Sequence, residues 1–239
     1  MQQNQILENS FRGGHANGNS LSDQVYDYLA DRIIRGEIKY GERLNTKTIA
    51  AEMGVSLMPI RDALKRLEME KVVVIEPRTA CYVRVPTKKI TLEAIEARRM
   101  IEVFAINSVY RTVSPGELKQ LSGIVDKMQQ LITRTSGKRT HSTVETYIEL
   151  DRRFHTELCS LAQNDYVNRF YREISIHLNM SFRYGVGVCH GIEATFRDHE
   201  RILSGLQNNS HDAVSALESH LVQSGRNIQS ESTFLMLED

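Results

Sequence analysis

The amino-acid sequence predicts a mainly α protein of two domains: a small helical unit closed by a β-ribbon, then an all-helical antiparallel bundle of about six helices. Three observations predict it. Between residues 20 and 86, short segments of helical periodicity are punctuated by Gly36, Gly41 and Gly54 and followed by two β-branched runs. After Pro86, helical periodicity continues almost unbroken to Glu231. The chain has 239 residues, whereas a single compact domain most often holds about 100–150.

Composition narrows the class. The chain is 41% hydrophobic and 25% charged, ordinary for a soluble globular protein. It contains no apolar run near the roughly 18 residues of a membrane span, so no membrane partner is expected. The first residues are polar, without the basic start and apolar stretch of a signal peptide, and residues 1–19 read as a tail. Cys81, Cys159 and Cys189 show no CxxC spacing, which favours a reducing, cytoplasmic location over a disulfide framework. Thirty basic and thirty acidic residues cancel. A neutral chain argues mildly against nucleic-acid binding, so any DNA-contacting charge must be local.

Taken in order, Ser20 or Ser22 caps a first helix with Val25, Tyr28, Leu29, Ile33 and Ile34 at helical spacing. A second helix spans about Thr46 to Met53, and Gly54 supplies the turn after it. Ser56 is an N-cap for a third helix with Pro59 in its first turn. That helix shows Ile60, Ala63, Leu64 and Leu67 on one face and Arg61, Lys65 and Arg66 largely on the other. Val72–Ile75 and Cys81–Val85, joined by the turn EPRTA, read as a two-stranded ribbon. The domain spans residues 20–86, residues 87–90 form a linker, the bundle occupies 91–232, and 233–239 are a second tail. Within the bundle, Ser114-Pro115-Gly116-Glu117 carries an N-cap, a Pro at the first helical position and a Glu three residues after the cap.

Helix, glycine turn, helix and ribbon together describe a winged helix-turn-helix, whose second helix can enter the major groove. Ser56 and Arg61 lie near the N-terminus of that helix, where the groove needs donors, and Arg can pair bidentately with guanine. Lys47 can reach phosphate, and Arg78 at the wing tip can enter the minor groove. The competing reading is a set of solvated charges on an amphipathic helix, which the near-balanced charge of residues 20–86 favours for any single residue.

The ordered pattern is more specific. The segment GERLNTKTIAAEMGVSLMPIRDALKRLEMEKVV resembles the winged helix-turn-helix of the GntR family of bacterial repressors. The match is carried by Gly41, Leu44, Ile49-Ala50, Gly54-Val55-Ser56, Pro59-Ile60-Arg61 and Ala63-Leu64-Arg66-Leu67. It implies DNA-facing positions at Lys47, Ser56, Met58 and Arg61, with Arg78 and Thr79 on the wing. Leu57 stands where the family often has Arg, and Thr79 where the wing often has Gly. The operator sequence is therefore expected to depart from the common family pattern.

In the bundle, Asp151 and His155 lie at i and i+4 in LDRRFHTEL and share a helix face. His199 in RDHERIL and His220 in ESHLV lie on two further helices. One Asp and three His suit a divalent transition metal, although spacing alone leaves each as a core or surface histidine. Cys159, at i+4 from His155, reads as a small buried residue rather than a fifth ligand. His141, His177 and His211 have no partner at ligand spacing.

This region is similar to the helical ligand-binding domain, FCD, of the FadR subfamily of GntR regulators. The resemblance rests on Glu96-Ala97-Arg98 with Ile101-Glu102, on Asp151-xx-Phe154-His155-xx-Leu158, on Asn164, on Glu193 with His199-xx-Ile202, and on His220. It implies that Asp151, His155, His199 and His220 coordinate zinc, or else nickel or manganese. It also places Arg98 against the carboxylate of a small organic acid, as a guanidinium fork would be. A salt bridge from Arg98 to Glu96 or Glu102 is the alternative. Arg183 and Tyr184 are further effector candidates, and Phe104, Tyr147 and Phe154 are either cavity walls or plain core.

The expected function is a ligand-responsive regulator, a repressor rather than an enzyme. It is expected to bind a pseudo-palindromic double-stranded DNA operator as a homodimer. Two alternatives use the same four ligands: a regulator for which the ion itself is the signal, and a metal-dependent enzyme activating water. Against the enzyme, no separate general base, nucleophile or phosphate loop stands out, and the winged unit would have no purpose.

Overall fold

A computed structural model describes residues 20–76, 80–135, 140–183 and 191–230. The chain forms two compact units that meet between Val85 and Pro86.

In the first unit, α1 (Leu21–Ile34), α2 (Thr46–Met53) and α3 (Leu57–Met69) precede β1 (Val73–Glu76) and β2 (Ala80–Val83). Ser20 rather than Ser22 caps α1: its hydroxyl accepts from Asp23 N–H, while the Asp23 carboxylate accepts from Ser20 N–H. Asn45 caps α2 through the N–H groups of Lys47 and Thr48, and α2 ends on Gly54 at φ 66°. Glycine takes that left-handed turn without the cost of a Cβ, which sets the direction of α3. Val25, Leu29, Ile33, Ile60 and Leu67 are fully buried and hold α1 against α3.

The two strands pair antiparallel, Val73 opposite Val83 and Glu76 opposite Ala80. The ribbon is shifted from its expected limits. Val72 ends the turn out of α3, its N–H donating to Leu67 C=O, and Arg84 N–H bonds Val72 C=O just beyond the ladder. Residues 41–44 flank β2: Gly41 N–H donates to Val83 C=O, and Leu44 N–H to Cys81 C=O.

The second unit holds six helices among the described residues: α4 (Lys88–Val109), α5 (Pro115–Arg134), α6 (His141–Ser160), α7 (Asp165–Arg183), α8 (Ile192–Gln207) and α9 (Asp212–Ser230). Helix α4 begins earlier than its sequence suggested. Thr87 is its N-cap, accepting from Ile90 N–H, so residues 88–90 form a first turn rather than a linker. Ser114 and Glu117 close the capping box on α5. The main core lies between α5, α6, α8 and α9, around Leu121, Met128, Phe154, Leu158, Ile202, Leu206 and Leu217. Gly205 lets α8 and α9 approach closely, because a Cβ there would stand 2.4 Å from the Ala213 nitrogen. That approach brings His199 on α8 and His220 on α9 to one centre. No helix among the described residues is long and apolar enough to cross a membrane.

Candidate metal centre and nucleic-acid interface

The buried stripe of α4 runs Ala94, Ile95, Arg98, Glu102, Ala105, Ile106. Two charged residues therefore sit on a face otherwise given to the core, and burying a charge is costly unless it is paired. They pair with each other: Arg98 Nε donates to Glu102 Oε1 at 2.5 Å. Glu102 Oε2 accepts from His155 Nδ1 of α6 at 2.6 Å. An ionised carboxylate only accepts, so beside one His155 donates from Nδ1 and keeps the lone pair on Nε2; burial pushes the Glu102 carboxyl up while the Arg98 charge opposes it.

Nε2 of His155 faces His199 and Asp151. His199 Nε2 lies 3.1 Å from His155 Nε2 and 3.2 Å from Asp151 Oδ1. His220 Nδ1 donates to Asp198 Oδ2 at 3.3 Å, which turns its Nε2 edge the other way. The His155 and His199 ring centroids are 5.1 Å apart, those of His155 and His220 5.3 Å, and those of His199 and His220 5.1 Å. One donor atom from each of Asp151, His155, His199 and His220 falls within 4.8 Å of the others. Phe154 stands edge-on to His155 and His199 and closes the inner side.

Electrostatics match the geometry. Burial and then the Arg98 charge hold His155 well below the usual histidine range, and burial lowers His220 against its bond to Asp198. Burial works against the Asp151 charge, but His155, His199 and Arg98 outweigh it and hold its carboxyl far below the usual range. Neutral imidazoles beside an ionised carboxylate are the forms that coordinate a metal. Coordination at about 2.0–2.2 Å puts neighbouring donors roughly 3–3.5 Å apart; the His155–His199 and His199–Asp151 pairs stand at that spacing, and the His155–Asp151 pair at 3.8 Å. His199 makes both of its short contacts through Nε2, and its buried Nδ1 has no hydrogen-bond partner among the described residues. These residues fit a divalent transition metal held by one oxygen and three nitrogens.

A cavity opens beside the donors, bordered by Arg98, Tyr147, Asp151, Phe182, Ile192, Thr195, His220, Ser224 and Asn227. Tyr147 has a buried hydroxyl without a partner among the described residues, and burial pushes its phenol up, so it stays a neutral donor. Arg98 meets both expectations in part. It forms the alternative salt bridge, to Glu102 and not Glu96, yet it also borders the cavity with Nη2 4.0 Å from Asp151. Phe104 does not line the cavity, being 57% exposed on the outer face of α4. Cys159 is fully buried with its thiol pushed up by burial, a small core residue. The Arg183 side chain and Tyr184 lie outside the described residues.

In the first unit, Lys47, Ser56, Met58 and Arg61 are all exposed. Met58 is 66% exposed, unusual for a large apolar side chain. Met58 and Arg61, three residues apart, share the outer face of α3, opposite buried Ile60, Ala63, Leu64 and Leu67. Ser56 occupies the N-cap position of α3, but its hydroxyl makes no capping bond, contrary to expectation, and stays turned outward. Arg66 departs from its expected place among the outward charges. It stacks on the Tyr26 ring at 3.7 Å and pairs with Asp23 and Glu70. Arg78 and Thr79 lie outside the described residues.

Sequence reasoning missed Asp198 and the role of Glu102, the carboxylates behind His220 and His155. The signal for Glu102 was present: an acidic residue four places after an Arg on an apolar helical face.

Residues 21–83 match the family described as bacterial regulatory proteins, gntR family, and residues 93–223 match the FCD domain. The chain is 26% identical over 193 residues to the HTH-type transcriptional regulator YdhC of Bacillus subtilis, covering 80% of this chain and 83% of that one. It is 28% identical over 146 residues to the gluconate operon transcriptional repressor of Bacillus subtilis, covering 61% of this chain and 57% of that protein. Its fold resembles the solved structure of Escherichia coli McbR/YncC at a TM-score of 0.68 and 20% identity, over 88% of this chain and 98% of the other.

Proposed function

The chain belongs to the GntR family of bacterial regulatory proteins, with an FCD domain as its second unit, and from that premise we propose a repressor whose operator affinity responds to a small carboxylate. It is a DNA-binding transcription regulator and not an enzyme. The observation that carries the rest is the meeting of Asp151, His155, His199 and His220 beside a cavity bordered by Arg98.

Those four residues hold a divalent transition metal, zinc first and nickel or manganese as alternatives. When bound, the metal supplies a Lewis-acidic position for an anionic oxygen. The chain's own groups do the remaining recognition. Arg98 offers the guanidinium edge not taken by Glu102, Tyr147 donates from its unpaired hydroxyl, and Thr195, Ser224 and Asn227 supply further polar contacts. Such a wall suits an oxygen-rich organic acid. The cavity is also the reason to prefer an organic effector over the ion as the signal, since an ion alone needs no room beside its ligands.

On the DNA side, Arg61, Met58 and Ser56 of α3 meet the major groove, Lys47 meets phosphate, and Arg78 and Thr79 form the wing contact. A homodimer presents two such helices to a pseudo-palindromic operator. The effector alters operator affinity by binding unequally to two placements of the winged units. Fluorescence anisotropy on the DNA upstream of the chain's own gene, with the zinc-loaded protein and a panel of small carboxylates, tests this reading. At least one acid shifts the binding curve; coincident curves across the panel would contradict it.

A further inference from the structure

Glu102 is fully buried on α4, and both of its oxygens are engaged, one by Arg98 at 2.5 Å and one by His155 at 2.6 Å. Arg98 is a donor, His155 Nδ1 is one wherever Glu102 is ionised, and His155 lies 53 residues away on another helix. We propose that Glu102 is the positioning residue of the metal centre: one carboxylate that fixes the tautomer of His155 so that Nε2 faces the ion, while it anchors Arg98 at the edge of the cavity. The inference rests on the metal reading given above and assigns the role to a residue that is not itself a ligand.

A neutral imidazole carries one proton, on either nitrogen. With that proton on Nε2, His155 would point a hydrogen at His199 and Asp151, into the position the ion must occupy. The carboxylate behind Nδ1 removes that alternative before any metal arrives. An amide cannot do the same. Gln at this position has one oxygen and one NH2: with the oxygen accepting from Arg98, the NH2 donates to His155 Nδ1 and selects the unwanted tautomer with its proton on Nε2. A carboxylate is therefore required by the two partners together. A purely structural ion pair between Arg98 and Glu102 would stabilise the bundle yet leave the His155 tautomer indifferent.

The test uses the full chain with 15N-labelled histidine, stripped with a chelator and then reloaded with Zn(II). In long-range 1H–15N spectra, His155 is expected to show a protonated Nδ1 and an unprotonated Nε2 in the stripped protein. Competition with a chromophoric chelator then compares the zinc affinity of the wild-type protein with that of Glu102→Gln. The variant is expected to bind zinc about 10- to 100-fold more weakly and to show the His155 tautomer with its proton on Nε2 when stripped. A stripped wild-type protein with its proton on Nε2 overturns the proposal, whether or not the variant folds. So does a folded Glu102→Gln protein with wild-type zinc affinity. A wild-type protein that takes up no zinc strikes the metal reading itself, and this inference falls with it.

Discussion

Arg61 and Arg66 lie five residues apart on α3, and their surroundings separate their roles. Arg66 lies over the Tyr26 ring and bridges Asp23 and Glu70, whereas Arg61 is exposed. Arg61→Ala is expected to weaken operator binding by about 1–3 kcal/mol with an unchanged melting curve. Arg66→Ala is expected to lower the stability of the winged unit by about 1 kcal/mol, the sum of one cation–π contact and two partly exposed ion pairs. Anisotropy and thermal melting on both variants check the division; a destabilised Arg61→Ala protein would refute it. At the metal centre, His199→Ala is expected to abolish the rise in melting temperature that zinc gives the stripped wild-type protein. A hundredfold excess over the dissociation constant stabilises by about 2.7 kcal/mol. The zinc-dependent shift is the quantity to compare, because removing a fully buried ring also leaves a cavity. The four candidate ligands were legible in the sequence as residue types. Their convergence was legible only through family resemblance, because three helices with no fixed spacing bring them together. The Arg98–Glu102 pair was legible as an i, i+4 spacing, whereas its extension to His155 depends on how α4 packs against α6.

Helix boundaries were the part of the fold most open to sequence reading. Ser114 with Glu117, Gly54 after Met53, and the run from Ile60 to Leu67 each have a local physical cause, and the structure carries them out. The start of α4 was not so legible: Thr87-Lys88-Lys89 looks like a charged linker, and only the hydroxyl of Thr87 accepting from Ile90 N–H marks it as a helix start. Gly205 was silent in sequence, since nothing within RILSGLQ announces a close approach. Gly205→Ala would improve helix propensity in an isolated peptide, yet its Cβ would meet the Ala213 backbone. Forcing α8 and α9 apart is expected to cost about 1–3 kcal/mol and to weaken zinc binding, because His199 and His220 ride on those two helices. Calorimetry and a zinc titration on the same sample check both; a variant as stable as the wild type would show that the helices tolerate the displacement.

In the whole molecule, a DNA-reading unit is joined to a unit proposed to hold a metal and an organic acid. Two-fold operators call for a two-fold protein, so sedimentation is expected to give about twice the 27.3 kDa chain mass; a monomer at working concentration would contradict the operator symmetry proposed here. Linkage adds a reciprocal demand: an acid that loosens operator binding must itself bind less tightly when operator is present, by the same factor. Everything on the ligand side depends on the four residues holding an ion. The most direct measurement is therefore elemental analysis of the purified, tag-free protein beside the Asp151→Ala/His155→Ala double variant. About one divalent transition-metal ion per chain, lost in the variant, is the predicted result. No ion in either protein after zinc is added back and excess removed would contradict the account, leaving the DNA-binding unit without the metal-based sensor proposed for its partner domain.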